Sequence, residues 1–166
     1  MEALLRDWPR NFNVPLTILH LGQLLEDRDG SGEVLGGRAA ELWDLGAPAP
    51  DRATLRRLAW SLRQIASEAG VREDALAEPA IANFLDAEAL DRGIVAYCKA
   101  EGLWAPRLPQ FLALKGEPRY AAIVEAAERF FRAPAAAQRR ASLSDVVELA
   151  RETVARRLAG QEHGGV

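Results

Sequence analysis

The sequence predicts an all-α fold: a single compact domain of about eight helices, several of them short, punctuated by proline and glycine. Three observations point there. Alanine (31) and leucine (23) supply about a third of the 166 residues, whereas valine, isoleucine and threonine together number only 17. Ala and Leu give up little side-chain freedom in a helix, and the β-branched residues that suit strands are scarce. Nine prolines and 13 glycines divide the chain into helix-sized pieces. A length of 166 residues is close to the commonest domain size, so residues 1–160 are expected to share one core, followed by a flexible C-terminal tail over 161–166.

Each element has a local reason. Residues 2–8 suit a short amphipathic turn through Leu4, Leu5 and Trp8, stopped at Pro9. Asn13 can cap a second helix, with Pro15 in its first turn, and this segment is apolar nearly all round through Leu16, Ile18, Leu19, Leu21, Leu24 and Leu25. A Gly-rich loop over 29–37 leads to a short helix over 38–45 and a Pro/Ala connector over 46–50. The clearest helix runs from Asp51, as N-cap, to Gly70, with Leu55, Leu58, Ala59, Leu62, Ile65, Ala66 and Ala69 on one face.

Short pieces are expected at 72–78 and 80–85, and Asp86 can cap a helix over 87–100 with the stripe Leu90, Ile94, Tyr97 and Cys98. Pro106 and Pro109 bracket a turn before a short helix over 109–115. Pro118 opens the next helix, over 118–132, with Ile123, Val124, Ala127, Phe130 and Phe131 inside. After a segment at 134–140, Ser142 and Asp145 start a final helix that buries Leu143, Val147, Ala150, Val154 and Leu158 and ends at Gly160. Within it, Glu152 and Arg156 stand in the favourable acid-before-base order.

Composition narrows the function classes. A net charge of −3 gives the chain as a whole no attraction to nucleic acid or to an anionic membrane. The charge is graded, however: −4 over residues 1–50, −2 over 51–101 and +3 over 102–166, so an anionic partner would meet the C-terminal third. Cys98 is the only cysteine, which excludes an internal disulfide, and with His20 and His163 far apart no Cys/His metal spacing exists. No apolar run approaches the ~18 residues of a membrane span, and the Met1-Glu2-Ala3 start lacks a basic leader, so a cytoplasmic protein is expected. No cofactor, metal site or catalytic residue is assigned. His20 reads as a packed residue of an apolar helix, and no Ser or Cys has a base at suggestive spacing.

Two strings resemble known motifs. Asp27-Arg28-Asp29-Gly30-Ser31-Gly32-Glu33-Val34 resembles the first eight residues of an EF-hand calcium loop, in which alternating oxygen ligands wrap the ion around a glycine turn. The residue where that family supplies a bidentate carboxylate is Arg38, whose fixed cation would repel the ion. Leu62 to Leu76 resembles the helix-turn-helix of bacterial regulators, with Ala66 where two helices touch, Gly70 at the turn and Val71 after it. Its recognition helix, Arg72-Glu73-Asp74-Ala75-Leu76-Ala77-Glu78-Pro79, offers three carboxylates and one cation to a groove lined with phosphates.

The remaining signal is a stripe. Arg52, Arg56 and Arg63 stand at helical spacing with Trp60 beside them, opposite the leucine face, and Arg139, Arg140, Arg156 and Arg157 could extend that surface. The expected function is therefore a non-enzymatic helical interaction or adaptor subunit of a larger cytosolic assembly, meeting another protein or a second copy of itself. The alternative is a nucleic-acid-associated helical protein that binds phosphates through these arginines. That could be a regulator, or a small subunit of a nucleoprotein complex such as the helical small subunits of CRISPR effectors, a comparison resting on size and helicity alone. A third reading is calcium binding at the 27–34 loop.

Overall fold

A computed structural model describes residues 20–21, 27, 29–75, 79–105 and 111–163. Among them every regular element is helical and none is a strand, as the Ala/Leu excess requires. Five α-helices are present among the described residues rather than about eight: α1 (Ser31–Leu45), α2 (Arg52–Ala75), α3 (Pro79–Glu101), α4 (Ala121–Arg132) and α5 (Ala136–His163). Two 3₁₀ turns, Leu112–Gly116 and Pro118–Tyr120, precede α4. The helices expected over 2–8 and 13–25 lie outside the described residues, apart from His20 and Leu21, which are helical.

Over the described residues the chain is divided into fewer pieces than expected because several expected breaks do not break. Gly70 does not end α2, which continues to Ala75. A glycine inside a helix costs about 1 kcal/mol relative to alanine, which a helix of 24 residues can absorb. Asp86 does not cap a new helix but sits inside α3, buried. The pieces at 134–140 and 142–158 are one helix, α5, which passes Gly160 and reaches His163, so the expected tail from 161 begins inside a helix. The glycine-rich stretch 31–37 is also helical rather than a loop.

That last difference has a visible cause. Asp29 Oδ1 accepts the Ser31 N–H at 3.0 Å and Asp27 Oδ2 accepts the Glu33 N–H at 2.9 Å, so two carboxylates meet the positive, unpaired end of α1. Hydrogen bonds hold both aspartates below the usual carboxylate range, from the Ser31 hydroxyl and N–H at Asp29 and from the Glu33 N–H at Asp27. Gly30, at φ +74°, makes the turn into the helix.

Helices α2 to α5 form an up-down-up-down bundle with α5 in the middle, packed on the other three. α3 and α5 run parallel, since Asn83 meets Arg139 near their starts and Glu101 meets Arg156 and Arg157 near their ends. Between these contacts α5 packs its valines onto Gly93: a Cβ there would lie 3.0 Å from Val146 Cγ1. α4 runs antiparallel to α5, with Arg129 at 3.5 Å from Asp145. The expected apolar stripes form the core. Leu55, Leu62 and Ile65 of α2, and Leu90, Ile94 and Cys98 of α3, are buried. A fully buried side chain of the Leu or Ile kind contributes about 1.5–3 kcal/mol relative to an exposed one. Phe131 differs: next to the buried Phe130 it lies about 100° further round α4, and it is half exposed, edge-on to its neighbour at 5.4 Å.

One end of the bundle is closed by aromatic rings. Trp43 of α1 stacks on Tyr120 at 6.1 Å and on His20 at 4.4 Å, and burial pushes the His20 imidazole toward its neutral form. Trp104 donates its indole N–H to Leu42 O at 3.1 Å, and the Tyr120 hydroxyl donates to Trp104 O at 2.8 Å. Arg119 donates to Asp44 O at 3.1 Å, satisfying a carbonyl at the end of α1. α3 stops in a Schellman turn: Gly102, at φ +71°, donates to Lys99 O, and Leu103 donates to Cys98 O at 2.8 Å. The freed Gly102 carbonyl accepts the Ala47 N–H at 2.8 Å and so ties α3 to the α1–α2 connector.

Candidate interaction face

The outward face of α2 carries four of the eight candidate residues. Asp51 Oδ1 accepts the Thr54 N–H at 2.7 Å, which caps the helix and sets its register. That register puts Leu55, Leu62 and Ile65 inward, and Arg52, Arg56, Trp60 and Arg63 outward. Trp60 is 59% exposed, while Trp43 and Trp104 are at most 5% exposed. From Arg52 to Ser67 the helix holds four arginines and no carboxylate. Arg52 stands in the first turn, where the helix dipole disfavours a cation, and it repels Arg56 one turn on. Arg57 turns aside to Thr54 Oγ1 at 2.8 Å. Among the described residues Arg56 and Arg63 form no ion pair.

Beside this face lies a groove of about 350 Å³ between α2 and α5. Ala59, Ala155 and Leu158 supply its apolar part, and Arg63, Glu148, Arg151 and Glu152 its charged rim, within which Arg151 pairs with Glu148 at 2.9 Å. The surface next to Trp60 is therefore of mixed sign, with two carboxylates close to the arginine stripe.

The other four candidates lie elsewhere. Arg139 donates to Asn83 Oδ1 at 3.1 Å and to Ala133 O at 3.3 Å, fastening the start of α5 to α3 and to the α4–α5 turn. Arg140, next to it, is half-buried. Arg156 and Arg157 both hold Glu101 at the end of α3, so Arg156 is engaged there and not with Glu152, the expected partner. With a rise of 1.5 Å per residue, the two arginine pairs of α5 stand about 25 Å apart. The eight residues thus form one stripe and two separate clasps, not a continuous track. Sequence reasoning missed Glu101, whose position fifty-five residues before Arg156 leaves no local signal.

Other expected sites take structural roles. In the calcium-like string, Ser31 to Arg38 is already helix, so its side chains radiate around α1 instead of converging, while Asp27 and Asp29 cap that helix. Arg38 pairs with Glu41. No cluster of three or more His, Cys, Asp or Glu that could hold a metal ion occurs among the described residues. The helix-turn-helix reading needs a turn at Gly70, where α2 is continuous. Cys98 is wholly buried and its thiol is pushed far up by burial, which leaves no thiolate for chemistry near neutral pH. No described helix is long and apolar enough to cross a membrane.

The chain matches no family model, no curated protein and no solved structure. A functional reading therefore rests on the α2 face itself.

Proposed function

We propose that this protein works as a helical interaction subunit, without catalysis of its own, and that it docks a partner protein on the outward face of α2. One observation carries the reading: an indole 59% exposed at the centre of a helix stripe with arginines on either side and no carboxylate among them. Tryptophan and arginine are the residues in which interface binding energy concentrates, because a large ring loses much water-exposed area and a guanidinium pairs in a fixed geometry. The partner that fits is a protein segment with an apolar side chain to cover Trp60 and carboxylates opposite Arg56 and Arg63.

A protein segment suits the face better than a nucleic acid. A phosphate backbone following the stripe into the groove would meet Glu148 and Glu152, and the other arginine pairs stand away from the stripe. A protein can offer both signs of charge and an apolar residue within one groove.

The test is capture of partners from nuclease-treated native lysate by the wild-type chain and by an Arg56→Glu/Arg63→Glu double variant. A protein captured by the first and lost by the second, through a segment that maps as acidic, is the expected result. Capture abolished by the nuclease, or retained by the double variant, contradicts the proposal.

A further inference from the structure

A cavity of about 820 Å³ opens where the α1–α2 connector, the end of α3 and the last turns of α5 meet. Its volume lies within the range of small-molecule sites. Leu45, Ala49 and Pro50, which keep surface open to solvent, line its apolar side above the buried Leu55 and Ala100. Arg156, Arg157 and Glu101 form the charged side.

The charges there do not balance. One carboxylate, Glu101, faces two guanidinium groups, leaving a net positive charge in the cavity. Each arginine spends a single nitrogen on it: Arg156 Nη2 on Glu101 Oε1, and Arg157 Nη2 on Glu101 Oε2 at 2.8 Å. A guanidinium carries five N–H donors in a planar fork, so most of the donors of both arginines have no partner among the described residues. Both side chains remain about half exposed or more, within reach of a ligand entering from solvent. Glu101 also shows that a carboxylate fits between these two forks.

We infer that this cavity binds a small amphipathic carboxylate, its apolar body against Leu45, Ala49 and Pro50 and its carboxylate on the unused N–H groups of Arg156 and Arg157. The net charge at the site, one positive unit, matches a singly charged carboxylate better than a doubly charged phosphate. Glu101 competes with the ligand for the same two guanidiniums, so its charge sets the affinity. The site stands at the bundle end away from the α5 start and needs no docked protein.

The experiment is titration of the whole chain with sodium octanoate, followed by backbone amide NMR, with sodium acetate and inorganic phosphate as separate arms. Octanoate, kept far below its micelle threshold, should give saturable shifts at Ala47, Gly102 and Gln161. Acetate should bind more weakly by about tenfold or more, since it lacks the apolar body. Arg157→Gln should weaken octanoate by about tenfold, the loss of one charge-assisted contact. Glu101→Gln should tighten it, because the competing charge is gone while the side chain keeps its shape. No saturable shift at those amides with octanoate overturns the inference. So does phosphate acting as strongly as octanoate, or Glu101→Gln weakening the ligand as Arg157→Gln does, which would make the three residues a structural clasp only.

Discussion

Two tryptophans seventeen residues apart, Trp43 and Trp60, occupy opposite kinds of surface. Trp43 is 1% exposed, between the rings of His20 and Tyr120, at the end of the bundle that α1 closes. Trp60 is 59% exposed in the middle of a long helix whose inner face is already packed. Around Trp43 the neighbouring polar groups are paired, since Trp104 donates to Leu42, Tyr120 donates to Trp104, and Arg119 donates to Asp44, while the buried indole N–H of Trp43 itself has no partner among the described residues. Around Trp60 two arginines have no ion pair among the described residues. The first region is packed within the chain apart from one indole N–H, whereas the second turns a large ring and two cations to solvent. Exposure of one large ring is ordinary, but its combination with unpaired like charges on one stripe is not what a folding core requires.

The comparison is broken most forcefully by truncating both rings. Trp43→Ala should destabilise the fold by about 3–5 kcal/mol, from lost burial and the cavity left behind. Trp60→Ala should stay within about 0.5 kcal/mol in the same urea unfolding experiment. A comparable loss at both sites would show that Trp60 belongs to the core. A smaller contrast comes from two glycines. At Gly46, φ is +78° and an added Cβ would lie 2.7 Å from the Gly102 carbonyl oxygen, so Gly46→Ala should cost at least the roughly 1–2 kcal/mol of a left-handed non-glycine residue. Gly36, inside α1 with nothing within 4 Å of such a Cβ, should gain up to about 1 kcal/mol from the same substitution.

The smallest effect concerns pH. Asp27, Asp29 and Asp51 accept backbone N–H groups at helix starts and are held below their ordinary values, Asp51 chiefly by its hydrogen bonds at Thr54. A depressed carboxylate stabilises the fold at pH above its unfolded value, near 4, and that contribution fades as pH falls through the folded value. The melting temperature should therefore drop between pH 5 and pH 3, and by less in Asp51→Asn, whose amide caps α2 without titrating. An equal drop in both would remove Asp51 from the account.

Much of the core was legible in the sequence because it is periodic. Leu55, Leu62 and Ile65, then Leu90, Ile94 and Cys98, then Ile123, Val124 and Ala127 all lie inward as their spacing predicts. Breakers were less legible, because a glycine or a capping residue states only a local cost. Gly70 and Asp86 are carried through by helices whose packing outweighs it. Of the candidate face, the α2 stripe could be read from spacing within one helix. The fates of Arg139, Arg156 and Arg157 could not, since Asn83 and Glu101 reach them only through the parallel pairing of α3 and α5.

The most direct measurement places a photo-crosslinking amino acid at position 60 and, for comparison, at position 43, and maps what each captures in the native cell. The account predicts that position 60 crosslinks to an acidic segment of another polypeptide, or of a second copy, and that position 43 crosslinks only within its own chain. Crosslinks from position 60 to nucleic acid, or none outside the chain, would contradict it.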